Sequence, residues 1–196
     1  MSSQLPDITD PVRPTDSAAP AAPMTAPTMA ALVAEIVATH HALLRREVPR
    51  IEQITHDLTS YEGGGGGGAD DAVLMEIRQL ASGLAACVAQ QLDREEQVLF
   101  PMLVKLEQQT EVTKCHAGMI RSRLMMAERD AARVRGVLSR LRELATENLS
   151  PAGPCEACHA LLAVIDEVLA DLQEHTTKEC DRLFPWAVRR EAELAR

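Results

Sequence analysis

Two stretches, Gln91-Leu-Asp-Arg-Glu95-Glu-Gln-Val-Leu99-Phe100-Pro101 and His175-Thr-Thr-Lys-Glu179-Cys-Asp-Arg-Leu183-Phe184-Pro185, align without a gap. Each puts a Glu six residues before the proline of Leu-Phe-Pro, and each follows helical sequence. In the second copy His175 and Glu179 are four apart, one turn along one face of a helix. An imidazole and a carboxylate so placed can reach one metal ion, or the carboxylate can bridge two. Mixed nitrogen and oxygen donors suit iron, manganese or zinc better than calcium. Read alone, a His-Glu pair on a helix is more often a solvated face. The duplicated frame changes that balance.

Working outward, the pattern is helical throughout. Leu32, Ile36, Leu43, Leu44, Ile51 and Ile54 form an apolar stripe over about residues 29–60, with Pro49 expected to kink or break it. Six glycines, Gly63 to Gly68, form a connection. Helices are expected over about residues 70–108, bent at Pro101, then 111–147, and then 155–194 after a Pro- and Gly-containing loop at 149–154. Residues 1–28, rich in Pro, Ala, Ser and Asp, read as a disordered tail ahead of a single domain over residues 29–196. The fold class is therefore all-α, an up-down-up-down four-helix bundle. His41 and His116 fall on the first and third helices, so every helix can offer ligands at a comparable depth.

Composition agrees. Of 196 residues 46% are hydrophobic but only 2% aromatic, leaving Ala, Leu, Val and Met to carry the core, as helices prefer. A net charge of −9 argues against a nucleic-acid binder. No apolar stretch approaches the roughly 20 residues of a membrane span. The start of the chain does not read as a signal peptide, and the five cysteines read as reduced. A cytoplasmic protein, monomeric or homodimeric, is expected.

These residues resemble the hemerythrin-like superfamily and, within it, the repair-of-iron-centres di-iron proteins. The resemblance covers about residues 30–190: His41 eight residues before Pro49, His116 on the third helix, and the two Leu-Phe-Pro frames. It implies a non-haem iron centre of two ions, with His41, His116 and His175 as terminal ligands and Glu95 and Glu179 as bridging carboxylates. It implies a stress protein repairing iron–sulfur clusters damaged by nitric oxide or oxidants, with those damaged proteins as partners and nitric oxide or oxygen as small ligands. That is a metal-binding repair or binding protein rather than a conventional enzyme. A carrier or sensor of oxygen or nitric oxide without repair activity is the alternative, and a bundle that has lost its metal is a third.

Two features depart from the family. The second-helix histidine is Gln91 here, and a Pro/Ala tail is expected in place of the small amino-terminal cysteine domain. Gln91 can act as a weaker ligand, leave a position open to water, or leave one ion alone; the sequence does not choose among these. His40 points about 100° away from His41 and is expected to support the centre or face solvent, while His56 is expected at the surface. Cys87 is expected in the core. Cys155-Glu-Ala-Cys158-His159 matches covalent haem attachment or a redox or metal thiol pair, against a plain reading as two ordinary thiols. Glu156 and His159 match half of a ferritin-type signature. Cys115 is a candidate reactive thiol beside His116. Met119, Met125 and Met126 read as core packing, and the arginines from Arg121 to Arg142 as a solvated face.

Overall fold

The computed structural model describes residues 28–61, 71–110, 119–148 and 156–195. The expected tail before Thr28, the glycine run, His116, Cys115 and Cys155 lie outside the described residues. Four long helices account for nearly all that is described: α1 (29–61), α2 (71–108), α3 (Met119–Asn148) and α4 (156–194). Each packs on the next, and α4 returns against α1, which closes the square of an up-down-up-down bundle.

Among the described residues, three of the four helices are interrupted by a single π-helical turn. These are Val37–His41 in α1, Glu95–Leu99 in α2 and Glu179–Leu183 in α4. Such turns are rare and concentrate at functional sites. In α2 the Phe100 N–H bonds to the Glu95 carbonyl, and in α4 the Phe184 N–H bonds to the Glu179 carbonyl, the i to i+5 bond of the wider turn. This explains the repeated frame. The Glu opens the turn, the Leu closes it, and the proline falls in the first turn of the α-helix that resumes. Pro101 and Pro185 therefore restart helices after a widened turn. Pro49, expected to break α1, instead sits exposed within an unbroken α-helix, Ala42–Tyr61, flanked by the buried Val48 and Ile51.

The ends are fixed locally. The Thr28 hydroxyl accepts from Ala31 N–H at 3.1 Å as an N-cap. Glu107, at the far end of α2, accepts from Met29 and Ala30 N–H at 2.9 and 3.1 Å, placing a carboxylate on the positive end of α1.

The interior has three layers. One apolar cluster gathers Leu44, Ile51, Ile77, Leu84, Leu138, Leu161, Ile165 and their neighbours. A second gathers Leu32, Ile36, Leu99, Phe100, Leu103, Leu124, Leu183 and Phe184. Between them in sequence, on α1, α2 and α4, lie the buried polar residues His40, His41, Gln91, Glu95, His175 and Glu179.

Several expectations change. Met119, Met125 and Met126 are exposed, because the buried stripe of α3 runs through Ile120, Leu124 and Ala127 instead. Cys87 is only partly buried at the edge of the first cluster. Cys158 is buried in that cluster while Glu156 and His159 are exposed, so the thiol and the imidazole of the supposed haem motif point to different surroundings. One helix, Ala72–Gln108, is long and apolar enough to cross a membrane by length and composition, with a mean hydropathy of 1.4. Its outer face carries Ser82, Gly83, Ala86 and Ala89, small rather than charged residues, which raises the average; its inner face packs in the bundle.

Candidate metal centre

Each side chain of the polar layer arrives from a widened turn or the turn before it. His40 and His41 lie in the π-turn of α1, Glu95 opens that of α2, and Glu179 opens that of α4. Gln91 and His175 sit four residues earlier on α2 and α4. His41 Nε2 approaches Glu95 Oε2 at 3.0 Å, and His175 Nε2 lies 4.0 Å from the same oxygen and 3.4 Å from Glu179 Oε1. The two rings meet edge to face at 5.0 Å. All four side chains are at most 2% exposed.

These approaches are close but are not hydrogen bonds. His41 Nε2, Glu95 Oε2, His175 Nε2 and Glu179 Oε1 are buried without a hydrogen-bond partner among the described residues, as are His175 Nδ1, Gln91 Oε1 and Asp171 Oδ2. Buried polar atoms are nearly always satisfied, so a group of orphaned lone pairs needs a reason. One donor atom each from His41, Glu95 and His175 lies within 4.8 Å of the others, a spacing at which one cation can bind all three. Two imidazoles and a carboxylate are the donors that non-haem iron prefers. The residues present fit such an ion.

A second ring of groups holds these donors. His41 Nδ1 donates to Glu96 Oε1 at 2.6 Å, and Arg45 donates to both oxygens of Glu96 at 2.7 and 2.8 Å. That contact keeps the proton on Nδ1 and leaves the Nε2 lone pair facing the centre. Phe100 of the Leu-Phe-Pro frame stacks on the other side of His41, with centroids 5.5 Å apart. His40 is buried and lies parallel to His175 at 5.4 Å. Both of its ring nitrogens are engaged, Nδ1 with Asp171 at 2.7 Å and Nε2 with the Lys178 ammonium at 2.9 Å, so it supports the centre and offers it no lone pair. His56 is exposed, beside Asp57.

Burial dominates the electrostatics. It pushes Glu179 up to about 8, with His41 opposing and Glu128 adding. It also raises Glu95, helped by the nearby Glu179. It lowers His175 to about 4. His41 is raised, because Glu95 and Glu96 outweigh its own burial. Glu96 is lowered, because Arg45 and His41 outweigh the cost of its partial burial. A layer that keeps His175 neutral and disfavours two adjacent carboxylates gains when a cation takes the place of protons.

The roles of Glu96, Asp171 and Lys178 were not foreseen in the sequence. A charge beside a ligand position on a helix normally reads as solvated; only the doubled Glu95-Glu96 hinted otherwise. Glu47 was also missed; it is 3% exposed and held by Arg46 and Arg50, with no metal-binding group gathered around it among the described residues.

Residues 32–187 match the model of the hemerythrin HHE cation-binding domain. This chain belongs to the hemerythrin HHE family. Among curated relatives, the iron–sulfur cluster repair protein YtfE of Edwardsiella ictaluri is 31% identical over 160 residues, covering 73% of this chain and 68% of its own. The protein of the same name from Yersinia pseudotuberculosis serotype O:1b is 30% identical over 163 residues, covering 82% and 66%. That from Yersinia pestis (strain Pestoides F) is 29% identical over the same length. The chain thus spans about two thirds of the length of these relatives. No solved structure matches it. Family membership and the donor set agree: this is a hemerythrin HHE helical bundle whose buried polar layer presents donors that could hold a cation.

Proposed function

We propose that this chain is a non-haem iron protein acting in the repair of damaged iron–sulfur clusters, with His41, Glu95, His175 and Glu179 holding the iron. The convergence of His41 Nε2, Glu95 Oε2 and His175 Nε2 in a buried layer carries the reading. The repair role rests on the relatives' names and on the shared bundle. His116 is a further ligand by resemblance. Bound iron supplies Lewis acidity and one-electron redox chemistry. The chain's own residues do the rest. Glu96 fixes the tautomer of His41, Phe100 and His40 fix the ring planes, and the two apolar clusters keep bulk water from the donors.

Access is narrow. A cavity of about 20 Å³ reaches Glu95 between α2 and α3, lined by Arg94, Val98, Leu99, Arg123, Met126 and Asp130. It has room for a water-sized molecule and is too small for a peptide or an intact cluster. This favours nitric oxide or oxygen as the molecule that reaches the centre, and gives weight to a second reading as a carrier or sensor of such a gas. A cytoplasmic location and a monomeric or homodimeric state complete the proposal.

Reconstitution of a nitric-oxide-damaged iron–sulfur protein tests it, with iron-loaded wild type against Glu179→Ala. Repair by the wild type and its loss in the variant is the expected result. Equal activity in the two would sink the repair role, and tight gas binding without any repair would favour the carrier.

A further inference from the structure

We infer that the centre in this chain holds a single metal ion, bound by His41 Nε2, His175 Nε2 and Glu95 Oε2, and that Gln91 keeps Glu95 from bridging to a second. The inference rests on the iron reading above and specifies its stoichiometry. It comes from comparing the two copies of the repeat within one molecule.

In the α4 copy, His175 stands 3.4 Å from its i+4 glutamate, and among the described residues neither ring nitrogen makes a hydrogen bond. The lone pair of the neutral ring is uncommitted. In the α2 copy, the same position is Gln91, and its amide Nε2 donates to Glu95 Oε1 at 3.0 Å, with Gln91 fully buried and Glu95 at 1%. Same frame, opposite relation: a donor atom for a metal is replaced by a donor of a proton. Once a bound cation holds Glu95 ionised, its carboxylate can only accept, so the NH2 end of Gln91 meets it. Glu95 Oε1 is thereby engaged within the protein, and Oε2 is the oxygen left bare between the two histidines. To bridge through both oxygens, Glu95 would have to turn Oε1 from the Gln91 amide toward a second ion.

Among the described residues, the other groups agree with one ion. Glu179 Oε1 is unpartnered beside His175 and offers a fourth donor to the same ion. On the Gln91 side, the described residues offer a second ion one neutral amide oxygen, a weaker donor than imidazole. Two imidazoles with a carboxylate are also the donor set of mononuclear iron sites that keep positions open to small ligands.

The test loads full-length protein anaerobically with ferrous iron, counts metal per chain by mass spectrometry, and records Mössbauer spectra. We expect one iron per chain in the wild type, with no exchange coupling, and a second, coupled iron in Gln91→His. Two coupled irons in the wild type would overturn the inference while leaving the iron reading intact. A Gln91→His protein that folds but still binds one iron would remove Gln91 as the determinant. No iron in a helical wild-type protein would overturn the iron reading itself. Should Gln91→His fail to fold, the wild-type count decides alone.

Discussion

Glu95 and Glu96 are adjacent and chemically identical, yet one faces the donors and the other faces Arg45. The difference lies in which side of the widened turn each occupies. Glu96 joins an exposed guanidinium to a buried ring, so it sets the direction of His41 without touching the centre. Replacing it by Gln keeps an acceptor but removes the charge that favours the Nδ1–H tautomer. Glu96→Gln should weaken metal affinity by about 10–100-fold, measured by competition with a ferrous chelator. Arg45→Ala should have a smaller effect, since Arg45 reaches the ring only through Glu96. An unchanged affinity in Glu96→Gln would mean that Phe100 packing alone orients the ring. At this scale the buried donors His41, Glu95, His175 and Glu179 were legible as candidates: i+4 spacing marks His175 with Glu179, the repeated frame marks Glu95, and the resemblance marks His41. The supporting residues were not. Asp171 and Lys178 acquire roles only when α4 packs against α1, and no pattern within one helix shows that.

The helices themselves were legible nearly to those ends that fall among the described residues, and the bundle with them, because the apolar stripes are long and regular. The π-turns were not, although their signature was printed twice. Helical periodicity tolerates one inserted residue in some thirty without visible disturbance, and a proline reads as a bend whichever turn precedes it. Two tests belong here. Deleting the exposed Val98 should convert the α2 turn to plain α-helix while the flanking stripes keep their register. Helicity by circular dichroism should survive and iron binding should be lost; retained binding would show that the turn is incidental. Pro49→Ala should stabilise the protein by about 1–3 kcal/mol in urea unfolding, since the exposed ring withholds a helical hydrogen bond. A loss of stability would mean that α1 needs a bend there.

Across the whole molecule, the polar layer makes the metal-free protein pH-sensitive. Glu179 titrates near 8 when folded against an ordinary 4.5, so its contribution to stability is present at low pH and fades as pH rises from 4.5 to 8. His175 runs the other way: held at about 4 against 6.5, it favours folding above 6.5 and loses that contribution as pH falls toward 4. Above 6.5 only the decline remains. The melting temperature of metal-free protein should therefore fall between pH 6.5 and 8, and Glu179→Gln should flatten that fall. Bound iron should abolish it, because a cation favours the ionised carboxylate. A flat profile in the metal-free wild type would show that water reaches Glu179 freely. The layered interior carries this further. Two oily compartments with a frustrated seam between them are two candidate cooperative units, and the smaller one, around Phe100 and Phe184, has the fewer contacts to hold it shut. Without metal its amides should exchange with heavy water ahead of those around Leu138 and Ile165, and with metal both should exchange together. The ion would then be a rivet through the molecule as well as its chemistry, and losing it would loosen one end of the bundle first.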